Sequence, residues 1–226
     1  MNENLNNFII ATAKGAVSVI PGGGLLSEYI GLAQSSISDK RMNEWKDKVE
    51  QTLEKIPTSM SELAQSEDFY SCLQTATTGA MRAYQEEKRK YFANALYHSA
   101  VNTNLDTDKK LFYLRLLNDY TLSHINLLQY FSVDQFHSED RVKKNGMVTT
   151  MTVGGTEYPI TGIVESLPEF KNDTAFVKHI AGQLITDSLI STIDFGIPVS
   201  KERARCKRIT SYGKAFLDFI KEDNEG

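Results

Sequence analysis

Six basic residues lie between positions 201 and 214 of a chain that is acidic overall, with a formal net charge of −4. They are Lys201, Arg203, Arg205, Lys207, Arg208 and Lys214. Side chains of this type bind phosphate groups or the carboxylates of a protein partner. Arg203, Arg205 and Lys207 alternate along the chain, and alternate residues of a strand share one face. The sequence therefore predicts a basic strand that contacts nucleic acid or a partner protein.

The glycines and histidines of the chain do not have the spacing of a phosphate-binding loop or a metal site. Gly22, Gly23 and Gly24 follow an apolar run, but the Lys-Ser or Lys-Thr pair of a phosphate-binding loop does not follow them. The four histidines are His98, His124, His137 and His179. None of them has a second ligand at the spacing of a metal site, and the sequence has no nucleophile motif. We expect no catalytic residue, no metal site and no cofactor, and a protein that is not an enzyme.

The cysteines and the first residues bear on the compartment. Cys72 and Cys206 are the only two cysteines, which suits a reducing compartment, and each is expected to be a small buried hydrophobic residue. The residues before the first apolar run include Glu3 and no basic residue, so a secretory signal is not expected. These features predict a cytoplasmic protein.

The elements around the basic residues follow the order of the back half of a winged helix. Thr174–Ile190 carries apolar residues at the spacing of one buried helical face. Leu189–Gly196 and Arg205–Thr210 are predicted to be strands around a polar loop, and Ser211–Lys221 is predicted to be a helix. A domain of this kind is more often a binding module than a catalyst.

The predicted recognition helix offers few groups that read DNA. Asp173 or Thr174 is its expected cap, and Lys178 and His179 are the basic residues near its start. Gln183 is the only side chain on it that reads base edges well. We therefore expect a protein partner for this domain, with a DNA-binding transcriptional regulator that uses the basic wing as the alternative.

Residues 1–38 are predicted to form an apolar helical hairpin that turns at Pro21–Gly24. The two arms are rich in Gly, Ala and Ser, which allows close helix packing. Each arm has about 13 residues, too few to span a bilayer alone. We expect the hairpin to be buried within the protein, and a membrane-active effector is the second alternative.

A charged amphipathic helix is predicted to begin at Asp39 and to end before Pro57. Its apolar seam consists of Met42, Trp45, Val49, Leu53 and Ile56. We expect this seam to pack on the hairpin of residues 1–38. The alternative is a homodimer that pairs the seam, or the hairpin, across a two-fold axis.

The remaining sequence completes two predicted domains. Helices between Ser61 and Ala100 are expected to meet or to run on near Thr77–Gly79, with the polar run Gln85–Lys90 as an exposed face. A helix around residues 111–117 completes the bundle of residues 1–118.

The domain of residues 119–226 is expected to begin with a helix capped by Thr121 or Ser123. Gly154-Gly155 predicts an inserted β-hairpin near residues 147–161. The fold class is thus mainly α: a helical bundle followed by a winged-helix-like α+β domain.

The order of several segments resembles that of the abortive-infection-alpha-like families of bacterial proteins. The matching segments are IPGGGLLSEYIG, KRMNEW, EEKRKYFANAL, LFYLRLLNDYTLSHINLL and ITSYGKAFLDFI. The resemblance implies a role in phage defence or in a mobile genetic element, and it carries over no catalytic residue. Together with the residue patterns, it favours a non-enzymatic interaction or scaffold protein.

Overall fold

The computed structural model describes residues 24–58, 60–102, 104–135 and 155–222, and this part of the chain is mainly helical, as predicted. The α-helices are α1 (Gly24–Glu54), α2 (Met60–Gln65), α3 (Glu67–Arg82), α4 (Glu86–Val101), α5 (Thr107–Asp119), α6 (Leu122–Tyr130), α7 (Pro159–Ser166), α8 (Thr174–Thr186), α9 (Lys201–Ala204) and α10 (Ser211–Ile220). A 3-10 helix covers Pro168–Phe170, and β1 (Thr156–Glu157) pairs with β2 (Val199–Ser200). None of the described helices is both long enough and apolar enough to cross a membrane.

The chain folds into two compact units. Of the described residues, the first unit contains those up to Asp119 and residues 218–222, and the second contains those between Tyr120 and Leu217. The sequence analysis placed the residues after 217 in the C-terminal domain. Of these, residues 218–222 pack in the first unit, where the Nδ2 of Asn94 donates to the carbonyl of Ile220 at 3.1 Å. The second unit therefore lies, in chain order, between two parts of the first.

The first unit is organised around the seam of α1. The predicted boundary at Asp39 is wrong, because no proline occurs between Gly24 and Pro57 and one helix of 31 residues runs through it. The seam cannot fold onto the second arm of the predicted hairpin, which is part of the same helix. It packs on α3 and α4 instead. Residues 1–23, with the first arm, lie outside the described residues.

Trp45 is the centre of this packing. Its side chain is fully buried, and its indole N–H donates to the Oγ1 of Thr77 at 3.1 Å. The chain's own helices therefore cover the face that the homodimer alternative would need, and we do not propose a dimer through it.

Near Thr77–Gly79 the sequence left open whether the helices meet or run on, and α3 runs on through Gly79 and ends at Arg82. Gly79 is needed for close packing, because a Cβ there would overlap the ring of the fully buried Phe92. The predicted exposed face at Gln85–Lys90 is wrong for Arg89, which is 5% exposed. Its guanidinium donates to the carbonyl of Ala83 at 2.9 Å, where α3 ends.

The second unit has α6, α7 and α8 in mutual contact. The spacing predicted a buried face on α8 of six apolar residues, and Val177, Ile180, Ala181 and Leu184 are buried as predicted. Of the other two, Phe176 is 38% exposed and Ile185 is only partly buried. Asp173 caps this helix by accepting from the N–H of Phe176 at 2.9 Å. After α8, Ser188 has a φ of 60°, and the N–H of Leu189 donates to the carbonyl of Leu184 at 2.9 Å. This left-handed C-cap turns the chain away from α8.

The strands are shorter than predicted. Between Leu189–Gly196 and Arg205–Thr210 the structure has a single β-bridge, which joins Ile190 to Ile209. Gly154 and the first arm of the predicted inserted hairpin lie outside the described residues. In its second arm only Thr156–Glu157 is a strand, and Pro159 then starts α7, because proline suits the first turn of a helix.

Candidate functional site

The six basic residues do not lie on one strand. Lys201–Ala204 is the short helix α9, which begins where the Oγ of Ser200 accepts from the N–H of Arg203 at 3.3 Å. A serine cap followed by good helix formers explains why helix replaces the predicted strand. Arg205 follows α9 as its C-cap. The alternation of basic residues therefore does not produce a shared face.

Arg205 is engaged by two carboxylates. Its Nε donates to the Oε1 of Glu157 at 2.6 Å, and its Nη2 donates to the Oε2 of Glu157 at 3.0 Å and to the Oε2 of Glu165 at 2.6 Å. The hydrogen bonds that Arg205 donates to Glu157 raise the pKa of Arg205 above its already high ordinary value. This fork between a guanidinium and a carboxylate ties β1 and α7 to the residue that follows α9.

Tyr130 completes what we call the Arg205 cluster: Tyr130, Glu157, Glu165 and Arg205. A Cβ on Gly162 would lie 2.9 Å from the phenol oxygen of Tyr130 and 3.1 Å from the Cγ of Arg205, so α7 can approach both only at a glycine. Burial raises the pKa of Tyr130 to about 12. The phenol is therefore neutral at physiological pH.

Arg208 is also used inside the unit. Its Nη2 donates to the carbonyl of Arg203 at 2.8 Å, and its backbone N–H donates to the carbonyl of Phe131 at 2.9 Å. Nearby, the Oδ1 of Asp134 accepts from the backbone N–H of Lys207 at 2.6 Å. These bonds hold the segment after α9 against the end of α6.

His124 is the second polar centre of the unit. It is 5% exposed, and its Nδ1 accepts from the N–H of Thr121 at 3.2 Å. Its Nε2 lies 2.7 Å from the Oε1 of Gln183. Thr121 caps α6 as predicted, and His124 takes the place that Glu or Gln has in a capping box. Gln183 was the candidate for reading a base edge, but its amide oxygen is engaged by this histidine.

Four of the six basic residues remain exposed to solvent: Lys201, Arg203, Lys207 and Lys214. Four large apolar side chains in the described part of the same unit are also exposed, and they are Val133 (54%), Tyr158 (47%), Phe176 (38%) and Ile197 (57%). We call Lys201, Arg203, Tyr158 and Ile197, which lie at or next to β1 and β2, the ladder surface. Sequence patterns did not identify Tyr158 or Ile197, because a single exposed apolar residue has no periodic signal.

The two cysteines have different surroundings. Cys72 is buried as predicted, and its burial raises the pKa of the thiol. Cys206 is only partly buried, contrary to the prediction, because it lies in the turn after α9. Its Sγ is 3.3 Å from the carbonyl oxygen of Arg203.

Within the described ranges, no three side chains of His, Cys, Asp or Glu form a group that could hold a metal ion. Gly22, Gly23 and His137 lie outside these ranges, and Gly24 is the first described residue of α1. No protein-family model, no curated protein and no solved structure matches the chain.

We expect Arg205→Met to lower the free energy of unfolding of the second unit by about 2 kcal/mol, because charge-assisted hydrogen bonds are lost from a mostly buried carboxylate. The side chain of Glu157 is only 10% exposed and would lose its cationic partner. Arg203→Met is the matched control, since the side chain of Arg203 is exposed, and its effect should be within about 0.5 kcal/mol. Urea denaturation measures the free energy of unfolding of each variant, and hydrogen exchange of residues 156–166 reports the loss locally. Equal effects of the two variants would contradict the structural role of the cluster.

Proposed function

We propose that the second unit is a non-catalytic binding module that takes a protein partner with both apolar and acidic side chains. The observation that best supports this is the arrangement of the ladder surface, in which exposed apolar and exposed basic residues lie at opposite ends of two paired strands. The partner class follows from the chemistry of these two ends.

The register of the strands defines the two ends. Thr156 pairs with Ser200 and Glu157 with Val199 in an antiparallel ladder. Tyr158 directly follows β1, and Ile197 lies just before β2, so both belong to the same end.

The other end is basic. Lys201 follows β2 directly, and a Cβ on Gly155, the residue before β1, would lie 3.7 Å from its Cε. Arg203 is exposed on the same short helix. With two pairs in the ladder, the apolar and basic ends are separated by roughly 7–10 Å. One short segment of a partner chain can span that distance.

Interface physics supports a protein partner. Tyrosine and arginine are enriched in protein interfaces, where an aromatic side chain supplies apolar contact area. Exposed cations at the edge of such a contact speed association with an acidic partner and orient it. The polar groups that would serve catalysis best, those of His124 and Arg205, are bonded to other side chains of the unit. On the resemblance to abortive-infection-alpha-like proteins, we propose that the partner belongs to a cytoplasmic phage-defence or mobile-element system.

A photo-cross-linking amino acid at position 158 tests this proposal. We expect Tyr158→p-benzoylphenylalanine to give one discrete protein adduct in the native host, and the adduct should be lost when Lys201→Glu and Arg203→Glu are added. The matched control is the same replacement at Tyr84, which is 75% exposed in the first unit. No adduct at position 158, or the same adducts at both positions, would contradict a partner at the ladder surface. Folding of each variant is checked by circular dichroism.

A DNA-binding regulator is the second candidate, and the order of elements supports it. Helices α6, α7 and α8 followed by a β-bridge and α10 are arranged along the chain as in a winged helix, and Lys178 and His179 are exposed on α8. Duplex binding would weaken with salt, with a slope of about −0.9 per phosphate contacted. Lys178→Ala with Arg203→Ala should then reduce the slope by about 2. An unchanged slope would show that neither side chain contacts DNA.

A further inference from the structure

A short turn between two fixed points of the second unit leads into the apolar end of the ladder surface. Before the turn, Ile193 is buried at 8% exposure. After it, Val199 pairs with Glu157 in the ladder. Residues 194–198 lie between these points, and we call them the wing turn. Both ends of the wing turn are thus held by the folded unit.

A side-chain acceptor closes the wing turn. The Oδ1 of Asp194 accepts from the N–H of Gly196 at 2.8 Å, which is the bond of an Asx turn. A Cβ on Gly196 would lie only 3.3 Å from this oxygen, so the close approach suits a glycine. Pro198 then restricts its own φ through its ring. The backbone of the turn is therefore largely ordered before any partner binds.

The apolar residues of the wing turn continue the surface of Tyr158. The antiparallel register puts Tyr158, which follows β1, and Pro198, which precedes β2, at facing positions. Tyr158 is 47% exposed, Ile197 is 57% exposed and Pro198 is also exposed. Within the described part of the unit, Ile197 has the largest exposed fraction of any large apolar side chain. Single exposed apolar residues are common on protein surfaces, whereas adjoining ones mark a contact surface.

We propose that the wing turn is the element of the ladder surface that enters an apolar pocket of the protein partner, and that Asp194 is a positioning residue for this contact. The inference rests on the proposed function and adds the mode of binding. Four of the five residues of the turn are exposed, so the turn stands out from the unit and fits a concave site. Lys201 and Arg203, at the basic end, face acidic groups at the rim of that pocket.

The order of the free turn matters for affinity. A loop that is already in its bound conformation loses less conformational entropy when it binds. The bond from Gly196 to Asp194 supplies this order, and the carboxylate that accepts it is itself exposed. Asp194 therefore acts through the backbone of the turn, and Ile197 makes the contact.

The yield of the adduct at position 158 tests this inference. In the intact chain with Tyr158→p-benzoylphenylalanine, we expect Ile197→Ala to lower the yield at least about tenfold, the effect of removing an anchor residue. Val133→Ala is the matched control, because Val133 is apolar and 54% exposed but lies outside the wing turn. It should leave the yield within about twofold. Tandem mass spectrometry of the adduct should identify a partner segment that combines apolar residues with Asp or Glu.

Two replacements of Asp194 separate positioning from an effect of charge. Asp194→Asn keeps a side-chain oxygen that accepts from Gly196, so the yield should stay within about twofold. Asp194→Ala removes the acceptor and should lower the yield about fivefold, because the turn must then be ordered on binding. In the alanine variant alone, the amide hydrogen of Gly196 should exchange about fivefold faster. The urea midpoint should be that of the wild type in both variants, because the replaced side chain is exposed.

The outcomes distinguish this inference from the proposed function. An adduct at position 158 whose yield is unchanged by Ile197→Ala would overturn the entry of the wing turn and leave the proposed function in place. Equal yields from the two Asp194 variants, or a Gly196 amide that exchanges at the same rate in both, would overturn the positioning role. The absence of any protein adduct at position 158, or an adduct with DNA alone, would contradict the proposed function itself.

Discussion

Trp45→Ala is expected to lower the free energy of unfolding of the first unit by about 3–5 kcal/mol, the range for removal of a buried tryptophan. The side chain is fully buried between α1 and the helices that α1 contacts, and no part of it is solvated in the folded unit. Its replacement leaves a cavity at the centre of the unit. Urea denaturation followed by far-UV circular dichroism measures the loss.

Trp45→Phe separates packing from hydrogen bonding. Phenylalanine keeps much of the ring volume but has no N–H for the Oγ1 of Thr77, which belongs to a residue with no solvent exposure. We expect this variant to lose about 1–3 kcal/mol, less than the alanine variant. The lone tryptophan of the chain would be absent from both variants, so circular dichroism rather than fluorescence is the common readout. Equal losses for both would show that packing of the indole contributes little.

Gly213→Ala is expected to destabilise the second unit by about 3 kcal/mol, at the upper end of the range for overpacking. A Cβ at this position in α10 would overlap the backbone carbonyl oxygen of Leu189 and lie 2.9 Å from the Cγ1 of Ile209. A backbone carbonyl cannot rotate away as a side chain can. The β-bridge between Ile190 and Ile209 would have to shift to make room.

Gly182→Ala in α8 is the matched control for Gly213→Ala. No atom lies within 4 Å of a Cβ placed at Gly182, so the same change should stabilise the second unit by up to about 1 kcal/mol through helix propensity. Thermal and urea unfolding of the two variants should therefore shift in opposite directions. A loss at Gly182 as large as that at Gly213 would contradict the close approach of α10 to Leu189.

Sequence patterns predicted the buried helical faces and the helix caps, which depend on residues close together in the chain. The spacing of Val177, Ile180 and Leu184 gave the buried face of α8, and the caps at Thr121 and Asp173 are confirmed. A helical face or a cap is determined within one or two turns of chain, so its signal is contained in a short window. Trp45 was likewise identified as a core residue from its seam.

Long-range partners were not predictable in this way. The carboxylates that bind Arg205 are 48 and 40 residues before it, and neither Glu157 nor Glu165 has a neighbour that marks it. The basic alternation in residues 203–207 suggested a strand, but the cap at Ser200 made part of it helical. The sequence left open whether a helix junction lies near Gly79, and it gave no sign that this residue is a contact point for Phe92. In each case a residue 13 or more positions away, or a competing local signal, decided the structure.

The position of residues 218–222 has a consequence for synthesis on the ribosome. Phe219 and Ile220 are buried in the first unit, and the ring of Phe219 lies 5.4 Å from that of Tyr113. These residues are translated after the whole of the second unit, which at about 5–20 residues per second takes about 5–20 s. During that interval the nascent first unit lacks two of its core side chains. Its apolar surface around Tyr113 is then open to a chaperone, and the second unit has time to fold before the first is complete.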